Sequence, residues 1–327
     1  MLNKGKCLIY GDSHLSSSNY GGHIDYASES LENFRRINVV AKEEDCGVVI
    51  GAGDLAQHRF NKLEYKLAIE DELDERNEIT DHNYFEVKGN HDSMTSGMSE
   101  WEFYHKKGYL RNEPYVDVGC ARIHMVNYGE EDRELDIAED KFNIVVGHNY
   151  FKYKSTVFPN YGKAIELDYK ESWAKVDLIV AGHIHDILEC TGKIGDKEIP
   201  VIYLGCPNQL SYKKDGMDEV GMFIILDCTG TEPQIVKYEF DLRPISERFV
   251  GKLDENDAYI LDENGYAISS DFEVKDGPRL DVSDVIEEIA NSDITLGDPE
   301  KIIDVLSGFS SEARELAKEL YKEALNS

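Results

Sequence analysis

Basic residues are scarce in this 327-residue sequence: 35 Lys and Arg stand against 65 Asp and Glu, a formal charge of −30 before histidine is counted. That imbalance excludes a histone-like protein or a general coat for polyanions. Long apolar runs are missing as well. None approaches the ~18 residues that a membrane-crossing helix needs. Met1-Leu2-Asn3-Lys4-Gly5-Lys6 leads straight into a short strand-like run, not into the apolar stretch of a signal peptide. A soluble, cytoplasmic protein with no membrane partner is therefore expected. Cysteine is sparse and unpatterned. Cys7, Cys46, Cys120, Cys190, Cys206 and Cys228 show no CxxC spacing, which argues against a zinc–thiolate module or a disulfide framework and for reduced thiols. Internal repeats and low-complexity tracts are absent too. What is present is bulk: 41% hydrophobic and 10% aromatic residues suffice for a sizeable core, and the length allows one large domain plus an appendage.

Five short β-branched or aliphatic runs carry the information, through the residues at their carboxyl ends. Cys7-Leu8-Ile9-Tyr10 leads to Gly11-Asp12-Ser13-His14, and Val48-Val49-Ile50 to Gly51-Ala52-Gly53-Asp54. Tyr84-Phe85-Glu86-Val87 precedes Lys88-Gly89-Asn90-His91-Asp92. Ile144-Val145-Val146 precedes Gly147-His148-Asn149, and Leu178-Ile179-Val180-Ala181 precedes Gly182-His183-Ile184-His185. Each is a buried-type strand ending in glycine and a metal-competent side chain.

Between the first three strands lie helical patterns. Ala27 to Lys42 spaces Leu31, Phe34, Ile37 and Val40 for a helix; Lys62 to Arg76 pairs Leu63 with Leu67 and Ile69 with Leu73, four apart. Strand, helix, strand, helix, strand implies a parallel α/β layer covered by helices. From about residue 110 the texture turns β-rich, with a hairpin turn expected at Gly192-Lys193-Ile194-Gly195-Asp196. The fold class expected is α/β, a two-sheet sandwich flanked by helices, over residues 1–244. Residues 245–327 form a second, more acidic segment, a small α+β cap ending in helices near Val282–Ala290, Pro299–Leu306 and Ser311–Leu325.

Ligands collect at the carboxyl ends of strands in such sheets, so the five loops should face one site. They offer Asp12, His14, Asp54, Asn90, His148, His183 and His185. Imidazole nitrogen mixed with carboxylate or amide oxygen suits Mn, Fe or Zn better than Ca. Seven ligands are too many for one tetrahedral ion; they suit two ions about 3.5–4 Å apart sharing a carboxylate, an arrangement typical of phosphoester hydrolysis. Two divalent cations against the carboxylates Asp12 and Asp54 leave a positive excess that can hold a phosphodiester even in an acidic protein. The neutral Asn90 preserves that excess.

This ordered motif series resembles the calcineurin-like metallophosphoesterases, from about residue 6 to 244. The resemblance implies that Asp12, His14 and His185 hold a first metal, that Asn90, His148 and His183 hold a second, and that Asp54 bridges them. It makes His91 a catalytic residue that faces the scissile phosphate as transition-state stabiliser or general acid. The serine/threonine phosphatase pattern Gly-Asp-x-x-Asp-Arg-Gly is missing, because the stretch here reads Gly53-Asp54-Leu55-Ala56-Gln57-His58-Arg59. Three other features look like the Mre11/SbcD nuclease branch, including its short phage versions. They are Asp12-Ser13-His14-Leu15 with Tyr20-Gly21-Gly22 and Phe34-Arg35-Arg36; Ile202 to Tyr212 ahead of Gly221-Met222-Phe223; and Phe240-Asp241-Leu242-Arg243-Pro244. Asn208-Gln209 departs from that branch. The resemblance implies a manganese-dependent DNA exo- or endonuclease in a bacterial or phage-infected cytosol, working with a Rad50/SbcC-like ATPase and able to form a homodimer. A small-molecule phosphodiesterase or phosphomonoesterase using the same metals is the alternative.

Other residues are set aside. His23, His82, His105 and His124 lack a ligand motif and read as surface or satisfied core residues. Asp92 reads as a loop acceptor, or one that supports a ligand by orienting a neighbouring imidazole, rather than as a ligand itself. Tyr150 to Lys163 interleaves Lys152, Lys154 and Lys163 with aromatic residues, which suits a strand-binding loop and equally an ordinary partly buried loop.

Overall fold

Unbroken aliphatic runs need cover on both faces, and the five loop-bearing strands have it. The computed structural model describes residues 5–243 apart from 19–22, 24, 58–60, 94–97, 131, 153–163, 168–170 and 209–219. The expected cap and helices of 245–327 lie outside the described residues, as do Tyr20-Gly21-Gly22, His58 and most of the 150–163 loop.

The elements run β1 (Lys6–Tyr10), α1 (Tyr26–Glu43), β2 (Val48–Gly51), α2 (Leu63–Thr80), β3 (Tyr84–Glu86), α3 (Glu100–Lys106), β4 (Tyr115–Val118), β5 (Ala121–Val126), β6 (Phe142–Gly147), β7 (Tyr150–Lys152), β8 (Ala164–Glu166), β9 (Val176–Ala181), β10 (Ile187–Ile194), β11 (Lys197–Leu204), β12 (Val220–Asp227) and β13 (Gln234–Asp241). They form two mixed sheets ordered β13-β12-β1-β2-β3 and β10-β11-β9-β6-β5-β4, and a small pair β7-β8. In the first sheet β1, β2 and β3 are parallel while β12 and β13 run antiparallel. In the second, β5, β6, β9 and β11 are parallel, with β4 and β10 antiparallel at the edges.

The central core lies between the sheets. Alternate residues of each strand fill it: Cys7 and Ile9 of β1, Ile144 and Val146 of β6, Leu178 and Val180 of β9, Met222 and Ile224 of β12. The other faces of β1 and β2, through Leu8, Tyr10 and Val49, meet Phe34, Ile37 and Val40 of α1 and Ile69 and Leu73 of α2. The other face of β6 and β9 is covered by Phe151, Ile165 and Trp173.

Two expectations need correction. Leu63 and Leu67 are exposed, at 67% and 51%. The buried stripe of α2 runs through Tyr65, Ile69, Glu72, Leu73, Arg76 and Thr80, and Leu63 and Leu67 precede Tyr65 and Ile69 by two residues, which on a helix places them on the far side. The stripe was hard to see because polar residues, Asn77 among them, carry more than half of it. Arg76 is fully buried, donates to Asn38 Oδ1 at 2.8 Å and to the Phe34 carbonyl at 3.1 Å, and lies over the Phe34 ring at 4.0 Å. The hairpin turn is also tighter than expected. β10 continues through Gly192, Ile194 pairs with Lys197, and only Gly195 and Asp196 turn, with Gly195 at φ 59°. No described helix is long and apolar enough to cross a membrane.

Candidate metal centre

Pairing continues just past the strand ends, so the loops leave side by side. Ala52 N–H donates to the Tyr10 carbonyl, Val87 N–H to Gly51 and Gly182 N–H to Gly147. Further out, His14 N–H donates to the Asp54 carbonyl at 2.8 Å and Leu15 N–H to Leu55 at 2.9 Å, which joins the first two loops. The two sheets are tied across the site. The His183 N–H reaches the Asp12 carboxylate at 2.9 Å, and His148 Nδ1 lies 2.8 Å from the Ala52 carbonyl.

All seven residues predicted as ligands are brought together. His14 Nε2 is 3.0 Å from His185 Nε2 and 3.6 Å from Asp54 Oδ2, while His185 Nε2 is 3.5 Å from Asp12 Oδ2. On the other side, Asn90 Oδ1 is 3.0 Å from both His148 Nε2 and His183 Nδ1, and His148 Nε2 is 3.2 Å from Asp54 Oδ2. Asp54 Oδ2 thus stands between the two groups. His91 sits at the exposed rim. Its N–H donates to Asp54 Oδ1 at 2.8 Å, its Nδ1 is 3.3 Å from the Gln57 carbonyl, and its ring meets that of His14 edge-on at 5.0 Å.

The donor chemistry fits bound cations. A carbonyl accepts only, so the Ala52 contact assigns the proton of neutral His148 to Nδ1 and leaves Nε2 a lone pair. That lone pair then faces the amide oxygen of Asn90, a second acceptor, at 3.0 Å. Two acceptors at that distance need a proton or a metal ion between them. His14 Nδ1 is buried with no hydrogen-bond partner. Asp12, Asp54 and His148 offer donor atoms within 4.8 Å of one another, as do His14, Asp54 and His91.

Charge in the site is strongly shared. Burial drives the Asp12 carboxyl up, and the pull of His148 only partly opposes it. Burial also works against ionised Asp54, but His148, His14 and His91 around it prevail and hold it below the usual carboxylate range. His148 is raised despite burial, because Asp54 and Asp12 lie against it. His14 is lowered, chiefly by burial. His185 is likewise lowered, to about 4 and chiefly by burial, so of these three histidines only His148 is favoured in its charged form, and a metal ion bound there would displace its proton.

Glycine at the strand ends has a steric reason. A Cβ at Gly89 would lie 2.0 Å from Asp54 Oδ1 and 2.3 Å from its backbone nitrogen; at Gly53, with φ 103°, it would lie 2.4 Å from His148 Nδ1. His14, Asp54 and His183 themselves adopt φ of 42°, 52° and 78°, a region that non-glycine residues seldom occupy and that clusters at functional sites.

The remaining described histidines have structural places. His124 is buried with Nε2 3.2 Å from Asn143 Oδ1, His105 stacks on Trp101, His23 lies 3.6 Å from Glu29, and His82 comes just after α2. Asp92 is a loop acceptor, one of the two readings the sequence offered, and no imidazole bonds to it among the described residues. Its Oδ2 accepts from the N–H groups of Gly89 at 3.0 Å and Leu55 at 3.3 Å, fastening the second and third loops together. Three further residues were given no place at the site by the sequence reading. Asn208 Nδ2 donates to the Ser13 carbonyl at 2.6 Å and fixes the first loop. Glu86 lies buried beneath Gly51 and accepts from Tyr10 and Tyr84; burial pushes it up to about 7 against those bonds and Arg76. Cys206 lies beside His14 and His185. Its signal was present, since Leu204-Gly205-Cys206 is a sixth strand ending in glycine and a metal-competent side chain.

Residues 5–186 match the calcineurin-like phosphoesterase family. The chain belongs to that family. Membership makes it a metallophosphoesterase by descent, with Asp12, Asp54 and His148 as a possible metal site. No curated protein matches this calcineurin-like phosphoesterase. Among solved structures it is similar to a dimetal phosphatase from Danio rerio, 12% identical over 73% of this chain and 99% of that one, with a TM-score of 0.45. It is also similar to a single mutant of Vps29 from Entamoeba histolytica, at 14% identity, 72% and 99% coverage and a TM-score of 0.30. Vacuolar protein sorting 29 from Cryptosporidium parvum is 14% identical over 72% and 97%, with a TM-score of 0.33.

Proposed function

We propose that this calcineurin-like phosphoesterase hydrolyses DNA phosphodiesters with two divalent ions, as the nuclease subunit of an Mre11–Rad50-like recombination and repair complex in the cytosol. The observation that carries the hydrolytic part is the acceptor-to-acceptor packing of Asn90, His148, His183 and Asp54. DNA as the substrate is supported by the motif blocks shared with the Mre11/SbcD branch.

In this reading Asp12, His14 and His185 would hold one ion, Asn90, His148 and His183 the other, and Asp54 would serve both. Manganese is the ion that the branch resemblance favours. When bound, such ions lower the pKa of a bound water and polarise phosphoryl oxygens. The chain's own part is orientation and proton control. Ala52 fixes the His148 tautomer through Nδ1, and the Asp12 carboxylate is held by the His183 N–H. His91 Nδ1, held near the Gln57 carbonyl, leaves Nε2 free at the rim to protonate or stabilise the departing alkoxide. A Rad50-like ATPase supplies DNA grip that a chain of charge −30 lacks.

The same acidity favours the second reading, a small-molecule phosphoesterase. The test is to incubate the manganese-loaded protein with end-labelled duplex and single-stranded DNA, and in parallel with generic phosphodiester and phosphomonoester substrates. Cleavage of DNA that disappears on chelation is expected. Cleavage of small esters alone overturns the nuclease assignment, and no hydrolysis of any substrate overturns both readings.

A further inference from the structure

Strand β11 is the parallel neighbour of β9, with Val201 opposite Ile179 and Tyr203 opposite Ala181. Cys206 therefore leaves the sheet at the same end as His183 and His185. Its N–H donates to the His185 carbonyl at 3.0 Å, and its side chain is 4% exposed. The Cys206 sulfur, a ring nitrogen of His14 and one of His185 all lie within 4.8 Å of one another.

Those separations suit one ion. Tetrahedral zinc takes thiolate at about 2.3 Å and imidazole at about 2.0–2.1 Å, which sets the sulfur roughly 3.6 Å from each nitrogen. Donors held within 4.8 Å of one another close on such an ion with side-chain shifts of up to roughly 1 Å. The other cysteines have different settings. Cys7 and Cys228 lie in the core between the sheets, Cys46 lies under the helices, and Cys120 and Cys190 pack against apolar clusters.

We propose that Cys206 is a further metal ligand, bound as thiolate to the ion that His14 and His185 hold. This rests on the two-ion reading of the loops and deepens it. On coordination the metal–sulfur bond forms and the thiol proton leaves to solvent. The first position then offers nitrogen, oxygen and sulfur, whereas Asn90, His148 and His183 offer only nitrogen and oxygen. Sulfur shifts preference toward zinc, cobalt or iron and away from manganese. The two positions therefore differ in the ion they select, and manganese belongs at the second.

The test is a Co²⁺ titration of the metal-free full chain followed by absorption spectroscopy, for the wild type, Cys206→Ser and Cys206→Ala. Expected are visible d–d bands in all three and a near-ultraviolet sulfur-to-cobalt charge-transfer band in the wild type only. In competition between equimolar zinc and manganese, Cys206→Ser should lose zinc preference about tenfold or more. Wild-type d–d bands without the charge-transfer band overturn the thiolate ligand and leave the two-ion centre standing. A charge-transfer band that persists in either folded variant assigns the sulfur elsewhere and overturns it too. No cobalt bands in the wild type overturn the two-ion reading itself.

Discussion

The backbone N–H of His91 donates to Asp54 Oδ1 at 2.8 Å, while the other oxygen of Asp54 faces His148 Nε2 at 3.2 Å. One carboxylate therefore positions the rim histidine and closes the donor cluster. The two residues nonetheless separate on mutation. His91→Ala should retain its metal content by elemental analysis and lose roughly 10²–10⁴-fold in turnover. Asp54→Ala should lose metal as well as turnover. Equal metal loss in both contradicts these roles.

Gly89→Ala tests the steric reason for glycine at a strand end. The new methyl meets the Asp54 backbone nitrogen at 2.3 Å, and backbone cannot rotate aside. A loss of about 1–3 kcal/mol in urea unfolding is expected, together with weaker metal retention on dialysis. A variant with wild-type stability and metal content refutes the close approach.

Glu86 gives a pH dependence with a definite sign. Its native value, about 7, lies above the ordinary 4.5, so the native state binds the proton more tightly than the unfolded chain. Stability is then full below pH 4.5 and declines as pH rises to about 7, by about 3 kcal/mol for a fully buried group. Glu86→Gln keeps an acceptor for Tyr10 and Tyr84 without the charge. Measured metal-free, the variant should be more stable than wild type at about pH 8, with the gap closing by about pH 5. A gap that widens toward acid reverses the argument.

Charge predicts how the isolated chain meets DNA. At −30 it should bind duplex DNA no tighter than the non-specific range of roughly 10⁻⁴–10⁻⁶ M at physiological salt. Divalent ions should tighten that binding, because they act at contact while exposed charges are screened beyond about 8 Å. Fluorescence anisotropy with and without chelator checks it. Tight binding in chelator sinks the expectation.

Much of this was legible in the sequence because one physical demand repeats. A buried parallel strand reads as an aliphatic run, and a loop turning into a shared site needs glycine, so Asp12, Asp54, Asn90, His148 and His183 stood out. What stayed hidden depended on partners distant in sequence. The polar inner stripe of α2 makes sense only once Arg76 meets Asn38 and Phe34. Asp92 as a fastener of backbone, and Glu86 beneath Gly51, likewise required the sheet to exist. Cys206 was passed over for a different reason: its strand-end signal was present, but cysteines were judged by their spacing to one another, and the side chains beside Cys206 are histidines.

The separation of the donors orders events in the life of the chain. His14 and His185 are 171 residues apart, yet their Nε2 atoms lie 3.0 Å from each other, and the domain's amino-terminal half leaves the ribosome first. β1, β2 and β3 can assemble with Asp12, Asp54 and Asn90 already present, but no imidazole from the second sheet exists until β6 and β9 have been synthesised. On the two-ion reading, ion capture comes late in biogenesis, after the two halves of the sandwich have met, and an incomplete nascent polypeptide should carry no hydrolytic activity.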